Sequence, residues 1–222
     1  RVVWTSEGRS KETLLEFFNQ MPEETRANIE AVAMDMWEPF TLAVREGCPN
    51  AAIVYDFFHI VAKYNEVITQ IRRQEYYKAS KDDARVIKGS RWILLKNPEN
   101  LTEKDRPRLN ELLATNESLA KVYILKDELK AIWSHTDPTA MELALGNWCE
   151  LALEAKLTPL TKFVKMLVNH KEGILNHAMY PIHTSKLEGI NNKIKVLKRE
   201  SYGYRDIEYF SLKIKQRCPE TG

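Results

Sequence analysis

Ile29-Glu30-Ala31-Val32-Ala33-Met34-Asp35 and Ala51-Ala52-Ile53-Val54-Tyr55-Asp56 decide the fold. Each is a short run of small or β-branched apolar residues, interrupted only by Glu30, as expected of a strand buried on both faces. Each ends on an aspartate. Between them Trp37-Glu38-Pro39 opens a short helical pattern that reaches about Glu46, with Gly47 and Pro49 as its punctuation. Upstream, Arg1-Val2-Val3-Trp4-Thr5 reads as a further strand that closes at Ser6-Glu7-Gly8. Ser10 then caps a helix in which Leu14, Phe17, Phe18 and Met21 recur at i, i+3, i+4 and i+7. The order strand, helix, strand, helix, strand predicts an α/β sheet with parallel neighbours. In such sheets ligands gather at the carboxyl ends of the strands, which makes Asp35 and Asp56 candidate site residues. An aspartate after a strand can also simply cap the next helix.

Beyond Asp56 the periodicity changes. Phe57, Ile60, Tyr64, Val67 and Ile71 recur at helical spacing, and helical stripes continue to about Met179. Leu109, Leu112 and Leu113 form one stripe; Leu119, Val122, Tyr123, Leu129, Ile132 and Trp133 form another. Further helices are expected after Asp137-Pro138 and Thr158-Pro159, with proline at the tolerated first position. Residues 81–106 carry the weakest pattern and are expected to be loops. The Leu and aromatic stripes read as a helical core, not as a cofactor box.

The last third brings a different kind of helix, Ser185-Lys186-Leu187-Glu188-Gly189-Ile190-Asn191-Asn192-Lys193-Ile194-Lys195-Val196-Leu197-Lys198-Arg199. At about 100° per residue, Glu188, Asn191, Asn192, Lys195 and Arg199 share one stripe. Leu187, Ile190, Ile194 and Leu197 take the other side. A carboxylate in the first turn, then two amides and several cations, is a surface able to hold a metal ion beside a phosphodiester. An ordinary solvated face is the plainer explanation. After it, Ser201-Tyr202-Gly203-Tyr204 reads as a turn and Asp206 as the cap of a last helix carrying Phe210 and Ile214.

The composition, 29% charged and 44% hydrophobic over 222 residues, is that of a soluble globular protein. A net charge of +2 does not announce nucleic acid. Its distribution says more, because Lys193 to Arg217 holds eight Lys or Arg against three Asp or Glu. Cys48, Cys149 and Cys218 are odd in number and lack any C-x-x-C spacing, which argues against a disulfide framework or structural zinc and suits a reducing cytoplasm. No apolar run approaches the roughly 20 residues of a membrane span, and the first residues do not read as a signal peptide.

Taken together, Asp35, Asp56-Phe57-Phe58-His59 and Glu188-Gly189-Ile190-Asn191-Asn192-Lys193-Ile194-Lys195 resemble the catalytic half of bacterial insertion-sequence transposases of the ISL-three family. The resemblance extends over essentially the whole chain. It includes Gly8-Arg9-Ser10, Val32-Ala33-Met34-Asp35-Met36, Pro49-Asn50-Ala51-Ala52-Ile53-Val54, Ile71-Arg72-Arg73, Lys88-Gly89-Ser90-Arg91 and Lys198-Arg199. It implies a ribonuclease-H-like fold, here incomplete, of three strands plus helices with a large helical insertion before the last catalytic helix. The expected divisions are a core segment at 1–66, an insertion at 67–180 and a return to the core at 181–222. Asp35 would be the second acid and Glu188 the third of a DDE triad, together holding Mg²⁺ or Mn²⁺. Asp56 and His59 would form an accessory pair beside the site; His59 reads equally well as a hydrogen-bonded structural residue.

The family's first catalytic Asp lies on a strand upstream of Arg1–Thr5, and no acid in Arg1–Ser10 replaces it, since Glu7 follows the wrong strand. The chain is therefore expected to be a fragment without its own complete triad and inactive alone. The implied partners are transposon-end and target DNA and further copies of the full-length protein, with no membrane and a cytoplasmic, nucleoid-associated location. From the wheel alone, Lys195 and Arg199 would grip phosphates and Asn191 and Asn192 would hydrogen-bond DNA, and Lys198 beside Arg199 is a further DNA-binding candidate. The competing readings are a non-catalytic DNA-binding or assembly module of the same descent, a related metal-dependent nuclease, and a plain helical interaction protein. The last leaves both strand-end aspartates without a purpose.

Overall fold

The two apolar runs form β1 (Ala31–Met34) and β2 (Ala52–Tyr55), which pair in parallel with Ala31 beside Ala52 and Met34 beside Tyr55. The ladder reaches one bond further at each end: Ala52 N–H donates to the Glu30 carbonyl at 2.8 Å, and Asp56 N–H to the Met34 carbonyl at 2.9 Å. A computed structural model of the chain describes residues 2–182 and 185–218, without the side chains of residues 185–188. Parallel neighbours need a crossover, and α3 (Glu38–Gly47) supplies it, with Pro39 in its first turn. The Thr41 hydroxyl of α3 lies 3.2 Å from the Tyr55 hydroxyl, tying crossover to strand.

Before the strands come α1 (Lys11–Asn19), capped by the Ser10 hydroxyl accepting from Thr13 N–H, and the short α2 (Glu23–Ala27). Helices α1 and α3 approach so closely that a Cβ added at Gly47 would sit 2.5 Å from Cδ2 of the buried Phe18 ring. Late in the chain, α12 (Ser185–Glu200) and α13 (Ile207–Arg217) pack on one another, and Asp206 caps α13 by accepting from Tyr209 N–H.

Two sequence expectations fail here. Val2–Thr5 is irregular chain, and among the described residues the sheet has two strands, not three. A β-branched and aromatic run becomes a strand only where a ladder receives it. Trp4 instead packs at a tilt against Phe17 of α1 with ring centroids 5.2 Å apart, and the Thr5 hydroxyl hydrogen-bonds that of Ser211 on α13. The strands are also less covered than expected: Ala31, Val32 and Ala33 are half-buried, and of β1 only Met34 is buried.

The chain divides into two compact units, Arg1–Asp56 with Ile182–Gly222, and Phe57–Pro181. The second is helical: α4 (Phe57–Lys78), α5 (Lys81–Ile87), α6 (Arg91–Leu95), α7 (Asp105–Thr115), α8 (Glu117–Ala131), α9 (Pro138–Glu154), α10 (Thr158–Asn169) and α11 (Lys171–Met179). Residues 81–106, expected as loops, thus hold α5, α6 and the start of α7. Helices of five to seven residues are too short to repeat an apolar period, although Ile87, Ile93 and Leu94 are buried.

The centre of this unit is aromatic. Tyr64, Trp148 and Phe163, from α4, α9 and α10, meet edge to face at 5.2–5.8 Å. Their polar tips are satisfied by α8: the Tyr64 hydroxyl donates to the Val122 carbonyl and Trp148 Nε1 to that of Leu125, each at 2.9 Å. Lys126, also on α8, is 1% exposed and donates to the Leu94 carbonyl at 2.8 Å and the Lys96 carbonyl at 2.6 Å, closing the end of α6. Its ammonium lies 4.6 Å from the Tyr123 ring centre. Burial holds the Lys126 amine down at about 8, against 10.5 for a free lysine.

Cys48, Cys149 and Cys218 are all buried free thiols, and burial raises the first two above the usual range. Among the described residues no helix is long and apolar enough to cross a membrane.

Candidate functional site

The pairing of β1 with β2 fixes the centre of the site. Met34 and Tyr55 are register partners, so the next residue of each strand, Asp35 and Asp56, stands at the same carboxyl-terminal edge. The sequence expected two strand-end aspartates on adjacent strands, and the register brings them together. Their surroundings differ. The Asp35 side chain is 29% exposed, while Asp56 is buried and its N–H is committed to the ladder.

A basic neighbour at Asp35 escaped the sequence reading. Arg9 Nη2 lies 3.5 Å from Asp35 Oδ2, and its guanidinium is 5.2 Å from the centre of the Trp37 ring. Trp37 in turn donates from Nε1 to the Arg9 carbonyl at 2.9 Å, and its N–H to the Asp35 carbonyl at 2.8 Å. Gly8 makes this approach possible: its φ of +95° lies in the left-handed region that a residue with a Cβ rarely adopts. The signal was present in Gly8-Arg9-Ser10, but only the fold sets that tripeptide against Asp35. The Arg9 side chain is 68% exposed, and an exposed, long ion pair is worth little in stability. Arg9 can therefore exchange its hold on Asp35 for another anion at small loss.

Position 188 lies in the first turn of α12, and the Glu188 and Leu187 side chains fall outside the described residues. The rest of the helix divides as its sequence requires. Ile190 and Ile194 are half-buried and Leu197 is buried, while Asn191, Asn192, Lys195, Lys198 and Arg199 are exposed. Asn192 and Lys193 line a groove with Gly189, Glu200 and Arg217 of α13. Lys198 faces a neighbouring hollow with Glu7, Tyr204 and Glu208. His59 is exposed on the first turn of α4 and belongs to the helical unit, whereas Asp56 closes the other.

The chemistry of the donors suits a hard cation. Asp35 offers carboxylate oxygens accessible to water, the ligand type that Mg²⁺ prefers. Among the described residues no three His, Cys, Asp or Glu side chains cluster as a metal site, so Asp35 needs Glu188 or further ligands to complete one.

Two strand-end aspartates and, later in the chain, a helix with exposed amides and cations are the candidate features, and comparison with known chains identifies the class of protein that carries them. The family model for ISL-three DDE transposases, described as transposase, matches residues 1–214. The chain is 44% identical over 222 residues to the transposase for insertion sequence element IS1001 of Bordetella parapertussis, covering 99% of this chain and 55% of that protein. It is 28% identical over 228 residues to the transposase for insertion sequence element IS1557 of Mycobacterium tuberculosis, covering 92% of this chain and 51% of that protein. The chain thus spans about half the length of these relatives. No solved structure matches it. The chain belongs to the ISL-three family of transposases.

Proposed function

We propose that this chain carries the catalytic centre of a DNA transposase of ribonuclease-H-like architecture, with Asp35 and Glu188 as two of its three acids. The observation that carries the reading is the parallel register that sets Asp35 and Asp56 together at the carboxyl edge of the strands. On this reading Asp35 and Glu188 need a third acid to complete the triad. Phosphodiester attack builds negative charge on the entering and leaving oxygens, and a divalent ion, Mg²⁺ or Mn²⁺, held by Asp35 and Glu188 supplies Lewis acidity for it. Arg9, held by Trp37, presents a cation beside Asp35 that can turn to a phosphate oxygen. Lys195, Lys198 and Arg199 bind the DNA backbone, and Asn191 and Asn192 add hydrogen bonds to it. Asp56 holds the strand edge on which Asp35 stands, and His59 is its accessory partner in the sequence motif Asp56-Phe57-Phe58-His59. Residues 67–180 act as an insertion in the core, and the whole protein works as an oligomer in the cytoplasm, on nucleoid DNA.

The test is a nicking assay on DNA bearing an insertion-sequence end, using the transposase that contains this chain, with Mg²⁺ or Mn²⁺. Cleavage should vanish in Glu188→Ala. Cleavage that survives this change would remove Glu188 from the triad. A second reading, a DNA-binding module without chemistry, draws on Arg9, whose guanidinium lies 3.5 Å from the Asp35 carboxylate. It requires metal-independent DNA binding that Asp35→Asn leaves intact and no cleavage under any divalent ion.

A further inference from the structure

Two arginine-bearing segments have no part in the site above, Ile71-Arg72-Arg73 and Lys88-Gly89-Ser90-Arg91. Within the helical unit they come together. Helix α4 presents Ala62, Glu66, Gln70 and Arg73 as a stripe at spacings of four, four and three, with Asn65 and Thr69 beside it. Helix α6 lies against this stripe and adds Arg91, so that Arg73 and Arg91 line one open groove.

The placement of Arg91 is built, not incidental. Gly89 turns the chain at φ +73°, where a side chain would be strained and a Cβ would press on Arg108. The buried Ser90 hydroxyl donates to the Ile87 carbonyl at 2.8 Å, and the Arg108 guanidinium of α7 donates to the Lys88 carbonyl. Arg91 follows as the first residue of α6, its guanidinium 4.8 Å from the centre of the Trp92 ring, which is 67% exposed.

The charges here are unbalanced. Among the described residues no carboxylate pairs with Arg72, Arg73 or Arg91, and Glu66 is the one acid lining the groove. Arg72 Nε and Asn65 Oδ1 are buried without a hydrogen-bond partner. Burial, and after it the charges of Arg73 and Arg91, hold the Arg72 guanidinium below its ordinary range. Like charges gathered without counter-ions are unfavourable in the free protein, and a polyanion relieves them. Forked guanidinium donors fit phosphate oxygens, and an exposed aromatic ring beside them suits a nucleic-acid surface.

We propose that the α4/α6 groove, lined by Arg73 and Arg91 with the half-buried Arg72 adjacent in sequence, is a second contact for the DNA backbone, remote in sequence from α12. The proposal rests on the DNA reading above. It is tested by fluorescence anisotropy of a labelled double-stranded oligonucleotide with the full chain, over a range of salt concentrations. For Arg73→Ala/Arg91→Ala, the slope of log affinity against log salt should flatten by about 2, and binding near ~0.1 M salt should weaken roughly tenfold. Arg91→Ala alone, at an exposed position, should flatten it by about 1. Arg73→Lys/Arg91→Lys should keep most of the slope. Circular dichroism melts should match the parent in each case. An unchanged slope in both alanine variants overturns the groove. If only Lys195→Ala/Arg199→Ala flattens the slope, this groove falls while the DNA reading stands. If the parent chain shows no salt-dependent binding, both fall.

Discussion

The sheet unit and the helical unit bury different things. Among the described residues, the largest fully buried side chains, from Ile60 and Tyr64 to Leu160, all lie in Phe57–Pro181. In the sheet unit most strand residues are only half-buried, and the acid at the end of β1 stays within reach of water. The helices hold stability in a dry aromatic centre; the small parallel pair holds a charged edge open. The proposed chemistry on phosphate would need the second arrangement, since a carboxylate sealed in a core would be driven towards its neutral form.

Five tests break or sharpen this contrast. The largest is expected from Asp35→Asn in the transposase containing this chain: DNA cleavage should fall by roughly a thousandfold or more, while urea melts move by less than about 0.5 kcal/mol. A comparable loss of stability would make Asp35 structural. Trp148→Ala reverses the pattern, removing two edge-to-face ring contacts and the indole hydrogen bond to the Leu125 carbonyl. Urea unfolding should then show a loss of about 3–5 kcal/mol. Gly47→Ala probes the sheet unit's tightest packing, where the new methyl meets the Phe18 ring. A loss of about 1–3 kcal/mol is expected, and Phe18→Leu in the same chain should recover part of it.

The fourth test uses pH. Lys126 binds its proton less tightly folded than unfolded, so the native state carries a penalty that is complete below pH 8 and fades towards 10.5. Relative to Lys126→Met, the parent should gain roughly 1–2 kcal/mol between pH 8 and 10, read from paired urea titrations. A flat difference would mean that the two carbonyls and the Tyr123 ring fully offset the burial. The smallest effects come from matched helix caps, Asp137→Ala on α9 and Asp206→Ala on α13. Each should cost about 1 kcal/mol in thermal melts. A much larger loss at Asp137 would place it in the core's cooperative network and not merely at a helix end.

How much of this was legible in the sequence depended on length and on locality. Ser10, Asp137 and Asp206 announce their helices because a cap is a contact over three residues. The strands β1 and β2, with an aspartate after each, were legible for the same reason. Val2–Thr5 misled because strand propensity does not say whether a partner strand is present. Helices α5 and α6 were missed because Gly89 splits Ile87 from Ile93 and Leu94, leaving no run in which a period could appear. The Arg9–Trp37–Asp35 arrangement joins segments 26 residues apart through a left-handed glycine, and no spacing rule encodes that. From Ile190 to Arg199 the amphipathic division of α12 was readable in the sequence, yet what its first turn meets is a property of the tertiary fold.

The three buried thiols give the chain its own clock. Cys48 and Cys218 sit in one unit and Cys149 in the other, each shielded from solvent. A maleimide can reach such a sulfur only when its surroundings transiently open, so alkylation rates at the three positions, read by mass spectrometry, time local breathing in each half without any introduced label. A sheet unit held loosely for its work would lose Cys48 to the reagent well before Cys149.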